Sequence, residues 1–91
     1  MKVYDPSMFR AKRELLGISR KQLARETFLA NETLRKAEHG EAIQRSTELL
    51  IGLVLDIIAA RQGQTEEIAR LERNWKNPKY RARFTQPLME E

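Results

Sequence analysis

Four polar residues stand together in one short stretch of the chain: Asn31, Glu32, Arg35 and Lys36. Their spacing of i, i+1, i+4 and i+5 puts them on one side of a helix and leaves Leu34 and Ala37 on another. The chemistry these side chains share is the reading of base edges. An Asn amide pairs bidentately with adenine, an Arg or Lys donates to guanine O6 and N7, and a Glu carboxylate accepts from the cytosine amino group. Polar residues on an exposed helix are also commonly just solvated, and residue type alone leaves that alternative open. Catalysis has less to work with. The chain has no cysteine and a single histidine, His39, so thiol nucleophiles, disulfides and cysteine zinc sites are excluded. No motif joins His39 to Ser46 or Ser19, and no catalytic, metal-ligating or cofactor-binding set is expected.

The chain that must position these residues has 91 residues and a formal net charge of +4. A single small basic domain of this size buries only about 60% of the surface its unfolded chain exposes, so a dimer interface is expected to add burial. The charge is uneven: ten basic and six acidic residues lie up to Arg45, and seven of each follow. The excess therefore coincides with the polar stretch, as phosphate attraction requires. The opening residues Met1 to Pro6 have no apolar stretch of the signal-peptide kind, and the longest apolar run, Leu49 to Ala60, is too short for a membrane span and contains Asp56. The expected location is the cytoplasm, away from membranes.

Glycine and proline divide the chain into helical segments with no strand-like alternation, which predicts an all-α fold, a bundle of five to six helices. A first helix is expected from about Asp5-Pro6-Ser7 to just before Gly17, with Phe9 and Leu15 or Leu16 inward and Lys12 and Arg13 between them. Ser19-Arg20-Lys21-Gln22 reads as a capping box that opens a second helix with Leu23 and Ala24 on its apolar stripe. A third runs from Asn31 to His39 and is closed by Gly40. Ser46 is a candidate cap for a long helix to about Arg61, and Thr65-Glu66-Glu67 starts a shorter one carrying Ile68, Leu71 and Trp75. From Asn77-Pro78 onward no periodicity is legible. The expected division is a domain over 5–62 and a C-terminal helical extension with a basic tail over 63–91.

Two of these segments, Ile18-Ser19-Arg20-Lys21-Gln22-Leu23-Ala24 and Thr33-Leu34-Arg35-Lys36-Ala37-Glu38-His39-Gly40, resemble the helix-turn-helix of the lambda-repressor and Cro type, the XRE family. The resemblance runs from about Phe9 to Leu55. It implies that Arg20 meets phosphate or a flanking base, and that Asn31, Glu32, Arg35 and Lys36 enter the major groove, with Thr33 and Arg45 in the same DNA-contacting set. It also implies that Arg13 pairs with Glu38 as a structural ion pair. The sequence departs from the family pattern in three places. Thr27 and Phe28 stand where an apolar residue and Gly are usual, so a Phe in the left-handed region would be strained and a different turn is expected. Ala30 replaces a capping Ser or Thr, so Asn31 is a candidate for the cap itself. Lys12 replaces an apolar residue and is expected to snorkel to water.

The resemblance implies a transcriptional regulator of a bacterium, phage or mobile element, a repressor that binds a palindromic double-stranded operator as a homodimer. The long helix is the candidate seam through Leu49, Leu53, Ile57 and Ile58, with Leu55 also in excess of what so small a core needs. The alternative is that the next helix covers that surface within one subunit. Arg73, Lys76, Lys79, Arg81 and Arg83 form an acid-free run with Trp75 and Tyr80 among them, readable as a second DNA contact or as a solvated tail anchored by Trp75. A different class of function is an antitoxin whose residues 77–91 bind a protein partner, a toxin. A nucleic-acid enzyme or recombinase accessory factor has support only in size and charge.

Overall fold

The computed structural model describes residues 3–85. Among these there are six α-helices and no strand: α1 Phe9–Leu15, α2 Arg20–Thr27, α3 Asn31–Glu38, α4 Arg45–Arg61, α5 Thr65–Asn74 and α6 Pro78–Thr85. No helix among the described residues is long and apolar enough to cross a membrane. The Asp5 side chain accepts from the Ser7 amide at 2.9 Å and starts a 3-10 turn, Pro6–Met8, that leads into α1.

Two of the helix ends are fixed by local chemistry that the sequence displays. The Gln22 amide donates to Ser19 Oγ at 3.0 Å while the Ser19 amide donates to Gln22 Oε1 at 2.8 Å, which satisfies amides that the first turn of α2 leaves open. Gly40, at φ 78°, closes the end of α3 in the left-handed region that a side chain disfavours.

The core is built from every helix except α6. Phe9, Leu16, Leu23, Leu34, Ala37, Ile51, Leu55, Ile58 and Ile68 form one buried cluster. Tyr4 closes it from the N-terminal segment, its ring lying so close to α4 that a β-carbon on Gly52 would overlap it. The Tyr4 hydroxyl donates to Asp56 Oδ2 at 2.7 Å, which gives the one acid in the apolar run of α4 a partner. A second cluster joins Ala11, Leu71 and Trp75, with Tyr80 and Phe84 of α6 packed against it.

Four expectations change here. Phe28 does take the left-handed conformation, at φ 60°, so the turn after α2 is not a different one: the Phe28 and Leu29 amides both close on the Ala24 carbonyl there. Lys12 does not snorkel: its side chain is fully buried, with Nζ 2.8 Å from Glu72 Oε2 of α5. The region after Asn77 is helical through Thr85, because Tyr80 and Phe84, four apart, both meet the Trp75 side of the domain. Residues 86–91 of the expected tail lie outside the described residues. Finally, α4 begins at Arg45 with Gln44 as its cap, two residues ahead of the expected Ser46 cap.

Candidate nucleic-acid interface

Helices α2 and α3 are joined by Phe28, Leu29 and Ala30 alone. Their contact is apolar: Leu23, Leu34 and Ala37 are all buried, and Thr27 is buried with its hydroxyl donating to the Leu23 carbonyl at 2.8 Å. With that face spent on packing, the opposite side of α3 is left outward. Asn31, Glu32 and Lys36 are exposed there, and Thr33 and Arg35 are half-buried.

Ala30 is the N-cap of α3 and makes no side-chain cap hydrogen bond. Asn31 is therefore not the cap: it is the first residue of the helix, exposed, and it lines an open cleft of about 590 Å³ with Ser19, Arg20 and Lys21. The N-terminal ends of α2 and α3 thus share one concave surface.

The charges divide into two sets. Glu38, at the end of α3, has a side chain only 1% exposed. Arg13 Nε and NH2 donate to its two oxygens at 2.8 and 3.1 Å, and Arg13 NH1 donates to the Ile18 carbonyl at 3.2 Å. This is the ion pair that the family resemblance implies. Arg20 joins it, with Nε and NH2 each 3.4 Å from Glu38 Oε1 and a side chain 10% exposed. The guanidinium expected at a phosphate is therefore turned into the domain. The reason is electrostatic: a buried carboxylate draws cations that satisfy its remaining lone pairs.

Arg35 is also engaged. Its Nε and NH2 donate to Glu32 at 2.9 and 2.6 Å, and NH1 lies 3.6 Å from Glu41. The Arg35 hydrogen bond holds the Glu32 carboxyl below its ordinary value, with the charges of Arg35, Lys36 and Arg20 acting in the same direction. Glu32 and Arg35 therefore face outward as a matched pair rather than as two separate readers. By contrast Lys21, Arg25, Lys36 and Arg45 are exposed and have no ion-pair partner among the described residues. Lys21 and Arg25 were not among the residues singled out by sequence. Their exposure was legible only from the α2 stripe opposite Leu23.

On α4 the candidate seam splits. Leu53 and Ile57 are 52% and 50% exposed, whereas Ile58 and Leu55 are buried in the core and Leu49 packs against it. Ile58 and Leu55 are thus core residues, covered within the chain, and Leu50 joins the exposed stripe in their place. The spacing 50, 53, 57 is one helical face.

The basic C-terminal run is partly tied down. Trp75 Nε1 donates to Ser7 Oγ at 3.0 Å, Arg81 lies 5.5 Å from the Trp75 ring centroid, and Arg83 lies 6.0 Å from that of Tyr80. Arg73, Lys76 and Lys79 stay exposed. Among the described residues no group of three or more His, Cys, Asp or Glu is placed to hold a metal ion. Compared with known protein families, curated proteins and solved structures, the chain matches none.

Proposed function

We propose that the chain is a sequence-specific double-stranded-DNA-binding regulator of transcription, a repressor that acts without enzymatic chemistry or cofactor on promoter DNA in the cytoplasm. The observation that carries this reading is the outward face of α3: Asn31, Glu32 and Lys36 exposed on a helix whose other side is anchored by Leu34, Ala37 and Glu38. A rigid helix that presents an amide, a carboxylate and an unpartnered ammonium along one edge has the donor and acceptor variety that major-groove recognition uses. The family resemblance of the α2–α3 segment supports the same reading.

In this account Lys36 and Asn31 read base edges, and Lys21 and Arg45 meet phosphates on either side. Arg35 reaches a base or phosphate only by giving up Glu32, so the pair discriminates by what can replace that carboxylate. One recognition helix spans few base pairs, and a second copy related by a twofold axis doubles the site. The exposed Leu50, Leu53 and Ile57 stripe is the surface assigned to that contact.

Selection of duplexes from a random-sequence library by the purified protein at physiological salt tests the proposal. The expected product is an enriched inverted repeat with half-sites about one helical turn apart. Retention that is weak, abolished by modest salt and indifferent to sequence overturns it.

A further inference from the structure

Phe28 combines two features that a folded chain ordinarily avoids. It sits at φ 60°, ψ 24°, the left-handed region, and no other non-glycine residue among those described has a positive φ. Its side chain is also 95% exposed, so the ring contributes almost nothing to the core. The backbone needs the left-handed turn: the amides of both Phe28 and Leu29 donate to the Ala24 carbonyl and so end α2. Glycine would supply that turn without the β-carbon clash. The ring is thus kept at a cost to folding and with no folding role, the pattern of a residue held for an external contact.

Its neighbours indicate the chemistry of that contact. Lys21 and Arg25, at i and i+4 on α2, are exposed, as is Phe28 at the end of the same helix, and Lys21 lines the cleft shared with Asn31. An aromatic ring in the same short segment as unpartnered cations suits a polyanion with apolar surface between its charges. Duplex DNA has that character, with phosphates for the cations and deoxyribose or thymine methyl groups for the ring.

We infer that Phe28 is a DNA-contacting residue that packs on the apolar surface of the duplex beside the α3 reading face. This rests on the DNA-binding proposal above and extends it to a turn residue. The test uses the full chain with Phe28→Gly and Phe28→Asn, both compatible with the left-handed turn. Thermal melting is followed alongside affinity for the duplex that the unaltered protein selects. Both variants are expected to melt no lower than the parent, with the Gly variant higher by about 4 °C. Both are expected to bind about tenfold more weakly, as loss of a partly buried aromatic contact implies. A duplex with uracil for thymine assigns the contact: a loss that the variants do not share places the ring on a methyl group, and equal affinity places it on sugar. Affinity of both variants within about twofold of the parent overturns the inference while leaving the DNA reading intact. Failure of the parent to bind any duplex overturns both.

Discussion

Arg13 and Arg20, turned onto Glu38, and Lys21 and Lys36, left exposed, contribute the same formal charge and are used in opposite ways. The arginines converge on Glu38, whose side chain is almost wholly buried, and hold α1, α2 and the end of α3 together. The lysines, one of them adjacent in sequence to Arg20, are exposed and without an ion-pair partner among the described residues. Net charge therefore locates the half proposed to meet DNA only coarsely. Burial and pairing decide which cations remain for an outside anion, because a cation already neutralised at short range contributes little to the field that a phosphate meets.

The contrast is sharpest where the buried side is broken. Glu38→Ala removes the buried carboxylate on which Arg13 and Arg20 converge, and is expected to cost about 3–5 kcal/mol of stability in chemical denaturation. Leu55→Ala, on the covered face of α4, is expected to cost about 2–5 kcal/mol. Leu53→Lys with Ile57→Lys, on the open face of the same helix, is expected to give a folded monomer in sedimentation that still melts cooperatively. Unfolding by that pair contradicts the division of α4 into two faces. Smaller again is Lys36→Ala, expected to cost about 1–3 kcal/mol at the selected site and to relax specificity at one position of each half-site. Lys21→Ala is expected to weaken all duplexes alike and to lower the salt slope by about one, while a specific loss would move Lys21 into the reading set.

The smallest effect concerns Glu32. Its carboxyl titrates below the ordinary glutamate value because Arg35 donates to it. A lowered value means that the pair is intact above the ordinary glutamate range and is lost as pH falls through the lowered one. Carbon-detected NMR is expected to show a depressed midpoint that rises toward the ordinary value in Arg35→Ala and with added salt. An unchanged midpoint contradicts the pairing.

What was legible in sequence was local. Ser19 and Gln22 declare a cap three residues apart, Gly40 declares a stop, and the 31, 32, 35, 36 spacing declares a face. The Arg13 and Glu38 pair was legible only through the family resemblance, since 25 residues separate them. The turn of Arg20 onto the same carboxylate was not, because it depends on how near the start of α2 comes to the end of α3. Lys12 reads as a lysine that snorkels to water until Glu72, 60 residues later, is packed beside it. The pairing of Arg35 with Glu32 was within reach of i, i+3 logic. Helix α6 was hidden because its short apolar pattern is aromatic and makes sense only against Trp75. Which residues of α4 are core was likewise set by Tyr4 and α5, neither of which its own periodicity reveals.

Parallel selection from one random-duplex library with the unaltered chain and with Lys36→Ala tests the division between structural and reading cations most directly. The account predicts the same inverted repeat from both proteins, with one position per half-site relaxed in the variant. An identical, equally sharp site from both proteins, or no enriched site from the unaltered chain, contradicts it.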